Sequence, residues 1–495
     1  MFGLKKIISA PQTKQVDLFT IRNESTTSID LMERASKAFT QEFLKEDLKG
    51  KKIAVVCGVG NNGGDGLAVA RILVSKGYKV TPFLIQFKET MSNDCQTNLE
   101  RLKDVIIIKS EDKIPELSSF DIIIDALLGT GLKKGLKGFL AQVVNAINAS
   151  KSKIYSIDIP SGLFCDEIIN ASAIIKSHMT ISFQRPKMAF FFPENNDYIQ
   201  WWKVVDIGLN EGFIQRQESR QYLLDKEISH ILKRRKRYSH KGSYGHALMI
   251  VGSYGMMGAG ILASKACLRS GVGLLTSYVP RCGYEILQAS VPEAMCITDE
   301  KDEYISSLPN IKKFDAIGIG PGLGTNSNTA NVLLNLFKEA SVSLVLDADA
   351  LNILSANLDL ISKIPENTIL TPHIKEFDKL VGTSKNSNER FEKQRHFSIK
   401  NRCIVVLKDA HTSVSDCKGN LYFNTSGNPG MATGGSGDVL TGVITGLLAQ
   451  RYCSIEAALM GTYYHGYAGD TAAKEKGQRS MVASDIIECI KISAL

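Results

Sequence analysis

Short apolar segments alternate with amphipathic segments along most of this chain, and this alternation constrains the fold more than any other feature. In the first half the apolar segments are residues 53–57, 80–85, 105–108, 121–128, 154–158 and 179–183. Apolar segments separated by helical patterns are typical of a parallel sheet covered by helices. The clearest helical pattern ahead of them runs from Ile29 to Phe43. The sequence therefore predicts an α/β fold for the first half.

The alternation resumes in the second half after a polar stretch from Asn210 to Lys241. The apolar segments there are residues 246–252, 315–320, 343–349, 368–370 and 403–408. A chain of 495 residues is too long for one ordinary core. We therefore predict two α/β domains, residues 1–215 and 236–495, joined by a linker at 216–235.

Composition and charge exclude several classes of protein. No apolar run approaches the roughly 18 residues that span a bilayer, and the N-terminus lacks a secretory apolar region, so we expect a cytoplasmic protein without membrane contact. The ten cysteines include no CxxC pair, which argues against a zinc site. Much of the net charge of +8 lies in the run Lys233–Arg237, which we interpret as a solvated linker with no nucleic-acid partner. A basic excess suits an anionic small-molecule substrate.

A glycine-rich segment, Gly58–Gly66, follows the first apolar strand and precedes a helix that we expect to begin near Leu67. Such a turn offers backbone N–H groups to a phosphate. The next strand ends without the carboxylate that a dinucleotide-binding dehydrogenase needs, and no Walker lysine follows the glycines. A tight turn in which Asn and Asp tolerate left-handed geometry remains the alternative.

Two further strand ends carry polar loops in the first half. Asp125 precedes Gly129–Gly131, and Asp158 precedes Ser161. The carboxyl ends of parallel strands meet at one edge of a sheet, so these loops should lie together. Their oxygen atoms suit a hard cation, and an aspartate among them suits acid–base work. Each aspartate is equally compatible with a helix cap or a turn.

A second glycine-rich segment, Gly434–Asp438, opens the apolar helix Val439–Leu448. Free N–H groups and the positive end of the helix dipole favour a phosphoryl group there. Asp438 is placed to accept a proton from a hydroxyl, although an aspartate at this position also serves as an N-cap. Polar loops at four other strand ends support a site, namely Gly320–Gly324, Asp347–Asp349, Thr371–His373 and Lys408–Thr412.

In the first half, the motifs NNGGDG, DALLGTG, SIDIPSG and LMERAS resemble the N-terminal domain of the YjeF family, the NAD(P)H-hydrate epimerases, over about residues 10–215. The resemblance implies a Rossmann-like fold, potassium held by Asn62, Asp125 and Ser161, and acid–base work by Asp158. It also implies that the hydrated dinucleotide contacts Asn61, Asn62, Gly63, Gly64, Asp65, Gly129, Thr130, Gly131, Leu132, Lys133, Lys134, Gly135 and Asp158.

In the second half, HKGSYGHALMIVGSYGMMGAG, GIGPGLG, DADAL, TPH, KDAHT and GNPGMATGGSGD resemble the ADP-dependent NAD(P)H-hydrate dehydratases of ribokinase-like fold, over about residues 225–495. The resemblance implies that Asp438 lies at the reacting hydroxyl, that ADP is the co-substrate and that Mg²⁺ is a cofactor. It implies hydrate contacts from Ala259, Gly322, His373 and Asp438, and nucleotide contacts from Lys408, Asp409, Ala410, His411, Thr412 and Gly437. Asp409 departs from the glycine that the family commonly has, which puts the nucleotide contacts there in doubt.

Together the resemblances imply repair of hydrated nicotinamide dinucleotides, and we expect the chain to form a homo-oligomer. One domain would interconvert the R and S hydrates, and the other would dehydrate the S form while ADP becomes AMP and phosphate. A ribokinase-like kinase of a small alcohol, with a non-catalytic nucleotide-binding N-domain, is the alternative. In a further alternative the N-domain regulates or tethers partners.

Overall fold

A computed structural model of the chain describes residues 3–168 and 173–493. The chain divides into two compact units, one formed mainly by residues 6–219 and the other mainly by residues 220–385 and 389–493. In the described ranges no helix is both long enough and apolar enough to cross a membrane.

The two-residue strand β1 (Lys5–Lys6) comes first in the chain, ahead of the elements of the N-terminal unit. The helices of that unit are α1 (Ala10–Asn23), α2 (Ser28–Phe43), α3 (Asn61–Ser75), α4 (Asn93–Glu100), α5 (Gly138–Ala149) and α6 (Glu211–Arg216). Its strands are β2 (Lys52–Cys57), β3 (Lys79–Ile85), β4 (Ile106–Ile108), β5 (Ile122–Ala126), β6 (Lys153–Ile157), β7 (Ser177–Phe183) and β8 (Ile199–Val205).

The seven strands form one parallel sheet in the order β4-β3-β2-β5-β6-β7-β8. The central strand β2 is apolar from Ile53 to Cys57 because both of its faces are buried. Ile53, Val55 and Cys57 pack on one face with α2 and α3, whereas Ala54 and Val56 pack on the other face with α5. A strand that is buried on both faces has no polar alternation to show.

The glycine-rich segment of this unit is helical, which corrects the expectation of a loop running to Leu67. Helix α3 begins at Asn61, so residues 61–66 form its first turns. Close packing explains the glycines, because a Cβ added to Gly63 would lie 1.7 Å from the carbonyl oxygen of Gly58. The first turn of α3 is thereby drawn against the end of β2.

The C-terminal unit contains the remaining elements. Its strands are β9 (Gln221–Leu224), β10 (His246–Ile250), β11 (Leu274–Val279), β12 (Met295–Thr298), β13 (Ala316–Ile319), β14 (Ser343–Leu346), β15 (Ile369–Leu370), β16 (Ile404–Leu407), β17 (Ser413–Ser415) and β18 (Leu421–Asn424). Its helices are α7 (Met257–Arg269), α8 (Gly283–Ser290), α9 (Ser327–Glu339), α10 (Ala348–Ala356), α11 (Ile374–Val381), α12 (Ser387–Asn401), α13 (Ser436–Ala449), α14 (Ser454–Lys476) and α15 (Ala483–Glu488).

The sheet of this unit has the order β1-β9-β18-β17-β16-β15-β14-β13-β10-β11-β12. The seven strands from β16 to β12 are parallel, whereas β17 pairs antiparallel with both β16 and β18. Strand β9 pairs with β18, so part of the segment expected as a linker belongs to this sheet. The predicted α/β class is confirmed for both units.

Helix α13 packs closely on α7, and this contact generates a stability prediction. A Cβ added to Gly442 would lie 2.1 Å from the carbonyl oxygen of Ala263 in α7. We expect Gly442→Ala to lower the free energy of unfolding by about 3 kcal/mol, because overpacking displaces backbone. Urea unfolding measures this effect.

The matched control is Gly258→Ala in α7, where an added Cβ meets nothing within 4 Å. Alanine is the better helix former, so this variant should be unchanged or more stable by up to about 1 kcal/mol. Equal stability of the two variants would contradict the proposed role of the α7–α13 contact.

Candidate active sites

The first candidate site lies where the strand order of the N-terminal sheet reverses. Strands β3 and β4 extend the sheet on one side of β2, and β5 lies on its other side. The loops after β2 and β5 therefore separate and leave a crevice at the carboxyl ends of the strands, which is where open α/β sheets bind ligands. Asp125 lies in β5, and Asp158 directly follows β6.

The predicted cation ligands meet around the backbone of Leu128. The side chain of Asn62 donates from Nδ2 to the Leu128 carbonyl oxygen at 3.0 Å, and Ser161 Oγ accepts from the Leu128 N–H at 2.8 Å. Ser161 Oγ also donates to Asp125 Oδ1 at 2.6 Å. The carboxylate of Asp125 is fully buried and accepts further hydrogen bonds from Ser161 N and Ser156 Oγ, both at 2.9 Å.

This group of residues has the donor chemistry of a monovalent cation site. Burial raises the pKa of Asp125, and its hydrogen bonds with Ser161, Ser156 and the Leu127 N–H act in the opposite direction. The group offers amide, hydroxyl and carbonyl oxygens around one carboxylate. The described residues include no cluster of three or more His, Cys, Asp or Glu side chains that could hold a metal ion, so Asp125 is the sole carboxylate of this group. Hard alkali and alkaline-earth cations prefer oxygen donors, so Asn62, Asp125 and Ser161 fit potassium.

Asp158 has a strained backbone and a buried basic partner. Its φ angle is +64°, a left-handed backbone conformation that residues other than glycine rarely adopt. The side chain of Lys187 is 2 % exposed, and its Nζ lies 2.9 Å from Asp158 Oδ1. Ser182 Oγ and the Phe183 N–H donate to the same oxygen, at 3.0 and 2.9 Å. Strain that the surroundings hold in place is characteristic of functional sites.

Two other carboxyls belong to the same electrostatic group. Burial, followed by the charge of Asp158, raises the pKa of Asp17 to about 6, and Lys187 acts in the opposite direction. Burial, followed by repulsion from Asp158 and Asp17, raises the pKa of Asp65 well above its usual range. This group therefore combines a carboxylate paired with an ammonium and a carboxyl, Asp65, whose protonated form is favoured by burial.

The other predicted substrate contacts of this unit form two groups. A Cβ added to Gly129 would lie 3.2 Å from the Cβ of Asn62, so the loop after β5 reaches the cation group. Gly63 and Gly64 are buried in the first turns of α3, with Asn61 exposed ahead of them. Residues 130–135 form an irregular loop that includes Thr130 and Gly131, in which Leu132 is half-buried and Lys133, Lys134 and Gly135 are exposed.

The second candidate site is built around a buried carboxylate that follows β14. The side chain of Asp347 is 1 % exposed, and its Oδ1 lies 2.8 Å from Nζ of Lys408. Its Oδ2 accepts a 2.6 Å hydrogen bond from Thr441 Oγ1 of α13. Burial alone would lower the pKa of Lys408, but the charges of Asp347, Glu376 and Asp438 raise it. The site therefore keeps a cation beside Asp438.

Asp438 lies in the first turn of α13, as its sequence position predicted. Gly435 precedes the helix with a φ of +87°, and no side chain in the described residues caps it. The first N–H groups of α13 are thus left for an anion. Burial, followed by the charge of Asp347, raises the pKa of Asp438 to about 7, and Lys408 acts in the opposite direction. A Cβ added to Gly437 would lie 3.1 Å from Lys408 Nζ, so the glycine gives the ammonium its space.

The predicted hydrate contacts in this unit lie on neighbouring loops. Gly322 has a φ of +61°, and an added Cβ would lie 3.1 Å from the Cβ of Ala259 and 2.4 Å from the Met256 carbonyl oxygen. His373 caps α11, where its Nδ1 accepts from the Glu376 N–H at 3.2 Å. A parallel bridge pairs His373 with Lys408 and so connects it to the Asp347 group.

The predicted nucleotide loop, residues 408–412, connects β16 to β17. Asp409 is exposed and its Oδ1 accepts a 2.7 Å hydrogen bond from the Ala410 N–H, so this carboxylate shapes its own turn. The ring of His411 lies 3.2 Å from the carbonyl oxygen of Asn424, and burial lowers the pKa of this histidine. Thr412 Oγ1 donates to the Asp409 carbonyl oxygen at 3.2 Å.

Comparisons with known proteins identify a family for each half of the chain. Residues 28–189 match the family model described as YjeF-related protein N-terminus, and residues 247–492 match the model described as NAD(P)H-hydrate dehydratase. The chain is 34% identical to the bifunctional NAD(P)H-hydrate repair enzyme Nnr of Moorella thermoacetica, across 97% of this chain and 95% of the relative. The chain belongs to the bifunctional NAD(P)H-hydrate repair family.

Two further similarities support this family assignment. The Nnr protein of Coxiella burnetii is 35% identical over 94% of each chain. A crystal structure of a ribokinase-like superfamily protein from Enterococcus faecalis is 28% identical, with a TM-score of 0.51 over 56% of this chain and 99% of its own. The predicted ribokinase-like fold of the C-terminal part is thereby confirmed. The roles of individual site residues stay predictions.

Three residues near the two sites were not predicted from the sequence of this repair-family chain, namely Lys187, Asp17 and Thr441. Lys187 directly precedes the apolar stretch Met188–Phe192, and a lysine that is buried with this stretch needs a carboxylate partner. Asp17 lies in an ordinary polar helix and gives no sequence signal. Thr441 reads as a helix residue, because only the packing of α13 against β14 places it beside Asp347.

The Thr441–Asp347 hydrogen bond generates a second stability prediction. Thr441→Val should lower the free energy of unfolding by about 2 kcal/mol, because it removes a donor from a buried carboxylate. Thr445 is equally buried in the same helix, but its Oγ1 donates only to the Thr441 carbonyl oxygen. Thr445→Val is therefore the matched control and should cost less than about 1 kcal/mol. A larger loss for Thr445→Val in urea unfolding would contradict this account.

Proposed function

We propose that this chain repairs hydrated nicotinamide dinucleotides in two steps. The N-terminal unit interconverts the R and S forms of NAD(P)H-hydrate, and the C-terminal unit dehydrates the S form while ADP becomes AMP and phosphate. One observation carries the proposal: each unit matches one half of the repair family and contains an aspartate, Asp158 or Asp438, beside the carboxyl ends of its strands. The proposal includes a homo-oligomeric assembly.

In the dehydration, Asp438 accepts the proton of the hydroxyl on C6 of the hydrated ring. The hydroxyl oxygen forms a bond to the terminal phosphorus of ADP, and the bond from that phosphorus to AMP breaks. The ring nitrogen then expels the phosphate from C6, and loss of a proton from C5 restores the dihydronicotinamide. Lys408 and the N–H groups at the start of α13 stabilise negative charge on the transferring group.

In the epimerisation, C6 carries both the hydroxyl and the ring nitrogen, so it is a hemiaminal carbon. Asp158 accepts the hydroxyl proton, the bond between C6 and the nitrogen breaks with its electron pair on nitrogen, and a neutral carboxyl protonates that nitrogen. The open aldehyde turns and the nitrogen closes on its other face, with the protons returned. No co-reactant is consumed.

Two cations belong to the proposal. Asn62, Asp125 and Ser161 would hold potassium, which when bound supplies positive charge near the carboxylate of Asp125 and favours its ionised form. The described residues offer no cluster of three acidic or histidine side chains for Mg²⁺. We therefore expect magnesium to bind through the phosphates of ADP, where it would neutralise their charge.

Reciprocal variants test the two activities in one chain. Asp158→Ala should lower epimerisation by at least 10²-fold and leave ADP-driven dehydration of purified S hydrate unchanged, since general acid–base groups contribute this much. Asp438→Ala should do the reverse. Chiral chromatography follows the hydrates, and dihydronicotinamide absorbance follows repair. Phosphorylation of a small alcohol by a chain that leaves the hydrates untouched would instead support the kinase alternative.

The pH dependence of dehydration provides a further prediction. Asp438 must be ionised to accept a proton and its pKa is about 7, so kcat/KM should fall as the pH decreases through 7. Asp349 raises the pKa of Asp438 and Lys408 lowers it. Asp349→Asn should therefore move the midpoint to lower pH, and Lys408→Met should move it to higher pH by roughly one unit. A common shift in both variants would argue against Asp438 as the titrating group.

A further inference from the structure

Lys187 is a buried charged residue that the chemistry proposed above leaves without a role. It follows β7 and is 1 % exposed, and the neighbouring residues Met188 to Phe191 are also buried. Its ammonium lies 2.9 Å from Asp158 Oδ1, and it donates longer hydrogen bonds to the carbonyl oxygens of Phe183 and Arg185, at 3.3 and 3.4 Å. An ammonium so far from water requires a lasting negative partner.

The contacts of Asp158 are divided unequally between its two carboxylate oxygens. The Lys187 ammonium, the Ser182 hydroxyl and the Phe183 N–H all contact Oδ1. In the described part of the chain no donor lies within hydrogen-bond distance of Oδ2. The side chain of Asp158 is 14 % exposed. One oxygen therefore fixes the carboxylate, and the other remains available to a ligand.

We propose that Lys187 is the positioning residue of the epimerase site, holding Asp158 as a carboxylate with Oδ1 fixed and Oδ2 free to accept the C6 hydroxyl proton. This inference rests on the function proposed above and adds to it the residue that sets the charge of the base. Lys187 acts through Asp158 and need not contact the hydrate.

The charge state of Lys187 agrees with this arrangement. Burial by itself would lower the pKa of its ammonium, but Asp158, Cys165 and Asp17 raise it above the ordinary value. The protonated amine is therefore the favoured form near neutral pH. A permanent neighbouring cation favours the ionised form of a carboxyl group.

The same arrangement provides the acid that the reaction needs. Asp65 lies in the electrostatic group of Asp158, and its burial favours the protonated form, whereas Asp17, with a pKa of about 6, is largely ionised at pH 7. Lys187 pairs with Asp158, so a negative charge resides there, and Asp65 is the carboxyl that can donate a proton. Asp158 then takes the hydroxyl proton and a neutral carboxyl gives one to the ring nitrogen, which divides base and acid between groups of opposite charge state.

The test compares the epimerisation pH profiles of wild type, Lys187→Met and Lys187→Arg in the full-length protein with purified hydrates. Lys187→Met should lower epimerisation at pH 7 by at least 10-fold and move the acidic limb upward by one pH unit or more. Lys187→Arg keeps a permanent charge, so its acidic limb should stay near that of wild type. The control Lys203→Met removes an exposed lysine paired with Glu42, and it should change neither rate nor limb.

Dehydration by the C-terminal unit of the same molecules reports whether the chain is intact, and a thermal melt reports whether the N-terminal unit is folded. A folded Lys187→Met protein with the wild-type rate and limb would overturn the inference. If Lys187→Met does not fold, ¹³C NMR of the wild-type carboxyls decides: Asp158 ionised and Asp65 protonated at pH 7 supports the inference, and the reverse overturns it. Failure of wild type to interconvert the hydrates would instead reject the proposed epimerase function itself.

Discussion

A carboxylate buried at the end of a central parallel strand organises each of the two sites. Asp125 in β5 and Asp347 after β14 are both almost fully removed from water. A buried charge is costly unless donors or an opposite charge surround it. Each carboxylate therefore draws together loops from separate strands, and the geometry of both sites depends on satisfying it.

The two carboxylates are satisfied in different ways, and the difference suits two kinds of chemistry. Among the described residues the donors to Asp125 are neutral, from Ser156, Ser161 and the backbone, and this is where the proposal places potassium. Asp347 has the ammonium of Lys408, so its charge is cancelled in place. The cation at Asp347 also lies beside Asp438, where a phosphate would need it. The arrangement around Asp125 suits a cation, and the arrangement of Asp347 and Lys408 suits an anionic co-substrate.

The sequence predicted the α/β class and the loops of both sites because these features are local. A buried strand must be apolar, and a loop at its carboxyl end must hold polar residues if it binds anything. Asp125, Asp158 and Asp438 were selected on that basis: Asp125 lies near the end of β5, Asp158 directly follows β6, and Asp438 lies in the first turn of α13. The start of α3 was misplaced because Gly63 and Gly64 suggested a loop, whereas they lie in the helix, where Gly63 packs against Gly58 and Gly64 against Met32 and Cys95. Lys187 and Asp17 escaped selection because only tertiary packing joins them to Asp158.

The electrostatics of the two units explain why one chain benefits from both. In the proposed dehydration, in-line phosphoryl transfer needs the hydroxyl of one epimer in a fixed position beside Asp438, which discriminates against the other epimer. Asp438 acts there as a single base, and burial followed by the charge of Asp347 raises its pKa to about 7. The proposed interconversion uses a base and an acid on a single ring, which suits a carboxylate paired with Lys187 beside the buried carboxyl of Asp65. The two proposed reactions therefore use different electrostatic arrangements, and this difference accounts for two sites on one chain.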